Sequence, residues 1–276
     1  MATSMLGQGK TVWQAEIDSA AEAIDFLRFN TKYAEELYSA QPQRHAPHTW
    51  NRVTYRGLEG FVASISPFNF TAIGLNLATA PALMGNVVLW KPAHTASLSN
   101  YAVYKILVEA GLPPGVINFV PSDGPLFGQA ITSSKHMAAI NFTGSTATFG
   151  LLWREVAKNL QVYRNYPRLV GECGGKNFHV VHPTADVDNV VNETLRSAFE
   201  YQGQKCSACS RLYVPQSLWS QIRDRLVEEI AKIPMGQPDD CKTFMSAVID
   251  DKSYEKIAKA INDAKDRPNC SILAGT

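Results

Sequence analysis

The chain has no apolar run long enough to cross a bilayer. Its first residues, MATSMLGQGK, hold neither the hydrophobic core of a secretory signal nor an Arg-rich amphipathic transit segment. Charge imbalance is almost absent: 26 Lys and Arg against 25 Asp and Glu give a net charge of +1, so no broad basic surface for nucleic acid is implied. Cysteine is scarce and odd in number, five in 276 residues, which argues against a disulfide scaffold and for a reducing compartment. There is no internal repeat and no low-complexity tract. No G-x-G-x-x-G is present, so an ordinary Rossmann phosphate loop is excluded, and GQGK at Gly7–Lys10 lacks the glycine spacing and following Ser or Thr of a P-loop.

What is there reads as a globular α/β protein. Hydrophobic residues make up 45% and charged residues 18%, and the length suffices for one large domain or two. Residues Val12 to Leu37 carry a helical period, with Ile17, Ala20, Ile24 and Leu27 on one stripe. QPQRHAPHTW is polar and Pro-rich, a loop or arm near residues 40–57. Short apolar runs then alternate with helical patterns. Strands are expected at Phe61–Ser66, Val87–Lys91, Val116–Val120, Ala138–Thr143 and Arg168–Glu172. Helices are expected around Leu75–Met84, Leu98–Ala110 and Leu126–Thr132 and from Thr146. This alternation predicts βαβ units and a mostly parallel sheet. It restarts after CGGK with NFHVV, a helix over Asp186–Glu200, RLYVP and a helix over Leu218–Ile230, so the Gly174-Gly175 pair is the expected hinge. The chain stops at SILAGT, read as the end of a strand and its turn, and that ending suggests a fragment.

Ligands of an open parallel sheet bind beyond the carboxyl ends of its strands. Those ends present Ser66 and Asn69 (in SPFNF), Lys91, the Gly144–Thr146 turn and Glu172. Taken singly, each is an ordinary strand end, turn residue or helix cap. Together an ammonium, helix N-terminal N–H groups, an amide and a carboxylate suit an anionic dinucleotide beside a reacting carbonyl.

Cys206 and Cys209, in FEYQGQKCSACSRLYVP, are three residues apart. A zinc site would add His179 and His182, but in a strand residues three apart point to opposite faces, which makes zinc the weakest reading. A redox pair belongs at a helix start, whereas this pair follows a helix and precedes a strand. A nucleophile needs a thiolate, an oxyanion donor and a base, and Asn69 and Glu172 are candidates for the last two.

Five stretches, SPFNFT, VLWKP, FTGST, GECGGK and GQKCSACSR, resemble the conserved segments of the aldehyde dehydrogenase superfamily, in the family's order from Ser66 to Arg211. Within it, SPFNFTAIGLNLATAPALMGNVVLWKP and FEYQGQKCSACSRLYVP are most similar to mitochondrial members that oxidise glutamate γ-semialdehyde to glutamate in proline degradation. The resemblance implies a parallel-sheet NAD-binding domain over residues 1–174, with the polar 40–57 arm as an oligomerisation hairpin, and an incomplete α/β catalytic domain over 175–276. It implies Cys206 as nucleophile, Glu172 as base and Asn69 as oxyanion donor. Ser66, Lys91, Gly144, Ser145, Thr146, Ala147 and Thr148 would hold NAD, with no metal. Cys209 and Cys173 are then structural thiols.

Two positions depart from the family pattern. Phe149 stands where a Gly-Ser-Thr-x-x-Gly turn ends in glycine, and His94 stands where NAD-preferring members often carry an acid. The resemblance further implies a small aldehyde substrate, no nucleic acid or membrane partner, homo-oligomerisation of full-length members and a place in the mitochondrial matrix. Weak turnover is expected of this chain alone, and the other reading is a catalytically silent relic that binds nucleotide or partner subunits.

Overall fold

The computed structural model describes residues 1–275. Two compact units form: one spans Glu16–Cys173, and the other joins Ala2–Ala15 to the chain from Gly174 onward. The expected α/β class with a parallel sheet is what the chain adopts.

The chain opens with helices α1 (Ala2–Gln8) and α2 (Val12–Ala15). The single long helix predicted over Val12–Leu37 is instead α2, a π-helical stretch over Glu16–Ala21, and α3 (Glu22–Ser39). A π turn accommodates extra backbone per turn and so shifts the phase of the helix face. The predicted stripe accordingly fails as a core face: Ile17, Ile24 and Leu27 are exposed, while Ala23 and Phe26 pack on Ala72 and Leu75. The 40–57 arm carries no strand. It doubles back through the side chain of Gln41, which accepts from Val53 N at 2.9 Å and donates to Val53 O at 3.1 Å. Pro42 and Pro47 have no N–H to give a ladder, which accounts for a hairpin shape without a hairpin's strands.

The core of this unit alternates β1 (Phe61–Ile65), α4 (Thr71–Leu83), β2 (Val87–Lys91), α5 (Ser97–Glu109), β3 (Ile117–Phe119), α6 (Gly124–Thr132), β4 (Met137–Thr143), α7 (Thr146–Lys158) and β5 (Arg168–Glu172). The five strands are all parallel, in the order β3-β2-β1-β4-β5. Side chains alternate across the sheet. Val62, Val88, Trp90, Ile117 and Ala139 pack against Ala78, Tyr104 and Leu107 of α4 and α5. Ala63, Ile140 and Phe142 pack against Phe127, Ile131, Leu152 and Val156 of α6 and α7. Burial on both faces is why these strands read as near-continuous apolar runs. Pro81 lies inside α4 and cannot donate to the carbonyl of Leu77 four residues back. Ser64 Oγ at 2.7 Å and Asn141 Nδ2 at 3.0 Å donate to it instead, tying α4 to β1 and β4.

The other unit contains β6 (Asn177–Val180), α8 (Val187–Phe199), β7 (Cys209–Tyr213), α9 (Gln216–Lys232) and α10 (Asp251–Lys265), besides α1 and α2. β6 and β7 form a parallel pair, backed on one face by Val191 of α8 and Ile222 of α9, with Val181 between them in a small core. Helices α1 and α10 are additions to the elements expected from the sequence. The strand expected at the end of the chain is not formed: residues 271–275 carry no secondary structure, since a strand needs a paired neighbour and none runs beside them among the described residues.

Candidate functional site

The register fixes where the strand ends fall. Ile65 of β1 lies opposite Lys91 of β2 and Phe142 of β4, and Thr143 of β4 lies opposite Glu172 of β5. Ser66, Lys91, Gly144 and Glu172 therefore share the carboxyl edge of one sheet, with Asn69 in the turn between β1 and α4. The chain order reverses between β1 and β4, the position where doubly wound sheets open a crevice.

The residues along that edge are held differently. Ser66 is buried, and its Oγ accepts the indole N–H of Trp90 at 3.1 Å and donates to Lys91 O at 3.5 Å. Its hydroxyl thus fastens the sheet. Lys91 is only 8% exposed, and its Nζ donates to Pro92 O at 3.0 Å. Burial pushes its pKa below the usual lysine value, and the negative charge of Asp123 partly restores it. Ser145 caps α7, its Oγ accepting from Thr148 N at 3.2 Å. The first-turn N–H groups of a helix have no intrahelical partner, so those of Thr146 and Ala147 sit at the open positive end of α7. Gly144 N donates to Glu172 O at 3.1 Å, and a Cβ on Gly144 would lie 2.7 Å from Cζ of Phe142. An ammonium and a helix N-terminus thus flank a glycine with no room for a side chain, an arrangement that can take an anionic group.

Phe149 is accommodated by a second glycine. Its ring stacks on Phe142 at 5.5 Å and covers Gly171 of β5, where a Cβ would fall 2.4 Å from its Cζ. The volume gained at one position is compensated by its absence on the neighbouring strand.

Cys206 belongs to the other unit. It follows a turn in which Tyr201 (φ 52), Gln202 (φ 57) and Gly203 (φ 67) are all left-handed. For non-glycine residues this conformation costs about 1–2 kcal/mol each, so surrounding contacts must hold it. Gln204 N closes the turn on Tyr201 O at 3.0 Å, and Gln204 Oε1 accepts from Ile249 N at 2.9 Å. Asn177 Nδ2 donates to Cys206 O at 2.5 Å and to Ala208 O at 3.1 Å. The thiol of Cys206 is half-buried on this fixed backbone. Asn177 and Tyr201 were not singled out in the sequence. The only available signals were the Asn closing GGKN and the Gly203 that marks one left-handed position of three.

Cys209 opens β7 and its Sγ donates to Arg211 O at 3.3 Å. His179 lies within 3.4 Å of Thr194 and Ser197 on α8, and His182 pairs with Thr184 at 2.9 Å. No group of three or more His, Cys, Asp or Glu side chains among the described residues is placed to hold a metal ion. None of the five cysteines is in a disulfide, and no described helix is long and apolar enough to cross a membrane.

Comparison with known proteins gives three findings. The model of the aldehyde dehydrogenase family matches residues 1–276. The chain is 66% identical to the mitochondrial delta-1-pyrroline-5-carboxylate dehydrogenase of Rattus norvegicus and 65% identical to that of Homo sapiens, over all of this chain and 49% of each relative. It thus spans about half the length of the curated relatives it matches. Among solved structures it superposes on the NAD-bound delta-pyrroline-5-carboxylate dehydrogenase of Mycobacterium tuberculosis with a TM-score of 0.96 and 47% identity, over 99% of this chain and 51% of that one. A Thermus 1-pyrroline-5-carboxylate dehydrogenase with bound NAD is similar at a TM-score of 0.83 and 29% identity, over 96% of this chain and 51% of that one.

Proposed function

The chain belongs to the aldehyde dehydrogenase family, and from that premise we propose that it serves the NAD-dependent oxidation of L-glutamate γ-semialdehyde (1-pyrroline-5-carboxylate) to L-glutamate in proline degradation. The observation that carries this reading is the identity of about two thirds with delta-1-pyrroline-5-carboxylate dehydrogenases along every residue of the chain. The names of those relatives support a mitochondrial location, and hence the matrix.

In this reading Cys206 attacks the aldehyde carbon as thiolate and forms a C–S bond. The Asn69 amide donates to the oxygen as its charge develops, a contribution whose loss typically costs about 10²–10³ in rate. NAD, when bound, supplies the acceptor for the hydride. Glu172 then takes a proton from the water that attacks the thioester, releasing carboxylate and the Cys206 thiol. Sulfur suits both halves, because it is nucleophilic near neutral pH and a good leaving group from a thioester. Lys91, the Gly144 turn and the first turn of α7 hold the dinucleotide. The backbone at Ser66 contributes its place at the strand end, the hydroxyl being used by Trp90.

The test is adduct trapping. With semialdehyde and NAD, the Glu172→Gln protein accumulates an acyl thioester that peptide mass spectrometry locates on Cys206, and Cys206→Ser accumulates none. An adduct on another cysteine, or NADH formation unchanged in Cys206→Ser, overturns the reading.

A further inference from the structure

The sequence GQGK, which is no phosphate loop, lies in the unit that carries Cys206. Gly9 ends α1 in the left-handed conformation (φ 67), its N–H returning to Met5 O at 3.1 Å. Two residues later Thr11 and Gln14 form a reciprocal cap on α2. Thr11 N donates to Gln14 Oε1 at 3.0 Å, and Gln14 N donates to Thr11 Oγ1 at 3.5 Å. Residues Gln8 to Lys10 are thereby a strap clamped between two helix ends.

That strap meets Tyr201. The phenol donates to Gln8 O at 2.8 Å, and Lys10 Nζ lies 3.8 Å from the centre of its ring. Gln8, Lys10 and Tyr201 are all fully buried. The next residue is held too, Gln202 Nε2 donating to Ala247 O at 2.6 Å. A left-handed Tyr-Gln pair does not persist without such support, and it leads directly to the thiol: Tyr201 O takes the Gln204 N–H, and Cys206 follows two residues on.

We propose that the Gln8–Lys10 strap and Tyr201 are a positioning device for Cys206: they hold the left-handed turn that sets the thiol's place. The proposal rests on the reading of Cys206 as the nucleophile. Tyr201 acts through the turn. The hydroxyl anchors it to the strap, and the ring under Lys10 prevents its rotation into an ordinary helical or extended conformation.

The experiment measures alkylation rates by iodoacetamide at each cysteine of the full chain, by peptide mass spectrometry, from neutral to alkaline pH. The proteins are wild type, Tyr201→Phe, Gln202→Gly and Gln202→Val, and each melting temperature is recorded. Exposed Cys241 is the internal reference. Tyr201→Phe keeps the ring but loses the bond to Gln8, and the ratio of Cys206 to Cys241 rates should fall about two- to tenfold, the range expected for one buried hydrogen bond. Gln202→Gly keeps the left-handed backbone and the ratio, while Gln202→Val, β-branched where φ is positive, lowers it. A merely structural role for Tyr201 would lower the melting temperature and leave the ratio and its pH profile unchanged, and that result overturns the proposal. If wild-type Cys206 is no faster than Cys241, the nucleophile reading fails and this inference fails with it. If wild-type Cys206 is fast and Tyr201→Phe keeps the same ratio, this inference fails alone.

Discussion

The two units are built from the same strand–helix alternation and bury it to different degrees. In the first, helices cover both faces of the central strands, so Val62 and Ala63, neighbours on β1 that point opposite ways, are both in a core, and only at the edge strand β5 is a residue such as Val170 left bare. In the second, α8 and α9 cover one face of two strands. Leu212 and Val181 face those helices, whereas Phe178 (62% exposed), Val180 and Tyr213 are bare on the other side. Phe178 and Tyr213 meet edge to face at 6.2 Å, and the Arg211 guanidinium lies 5.9 Å from the centre of the Tyr213 ring. An apolar strand pattern therefore reports the tendency to be covered, and a strand is buried only when a second layer arrives.

The largest effect that could break this contrast compares two aromatic residues. Trp90 is fully buried and bonded to Ser66, and Trp90→Ala should cost about 3–5 kcal/mol. Phe178→Ala should fall within about 0.5 kcal/mol, as a surface change does. Chemical denaturation of both variants measures this, and comparable losses would mean that the second unit is as well packed as the first.

A smaller effect sharpens the packing of the first unit. Gly171→Ala places a methyl group 2.4 Å from the Phe149 ring and should destabilise by about 1–3 kcal/mol. Phe149→Ala in the same chain should recover most of the loss, so the two changes are non-additive in a double-mutant cycle. Additive costs would show that the ring and the glycine are unrelated.

The smallest effect is electrostatic. Burial lowers the pKa of Lys91 below its ordinary 10.5, so between the two values the unfolded chain binds more protons than the folded protein. Stability then rises with pH across that window, and the charged lysine is a cost at neutral pH. Lys91→Met should raise the neutral-pH melting temperature by a few degrees and remove this dependence. A lower melting temperature in the variant would show that the ammonium is net stabilising where it lies.

Much of the first unit is legible in the sequence because each strand is a short apolar run bounded by turn residues. The observed strands lie within or beside the expected ones, from Phe61–Ile65 to Arg168–Glu172. The strand-end residues follow from that alternation alone. What sequence hides is conformation without a hydrophobic period. The π stretch at Glu16–Ala21 changes the phase of α3 with no glycine or proline to announce it. The left-handed Tyr201-Gln202 pair uses residues that seldom adopt it, and the strap that holds it lies nearly two hundred positions away in sequence. α10 does carry a signal, Asp250 capping Ser253 N at 2.8 Å ahead of a helical run. The Ser66 hydroxyl, expected to face a ligand, serves Trp90, because a buried indole N–H needs an acceptor.

We propose that the carboxyl edge of the five-stranded sheet holds NAD independently of Cys206. Calorimetric titration of NAD tests it most directly, on wild type, Gly144→Val, Lys91→Met and Cys206→Ser. Wild type and Cys206→Ser should both bind saturably, and Gly144→Val and Lys91→Met at least about tenfold more weakly, about 1.4 kcal/mol. Equal affinity across all four proteins would contradict it.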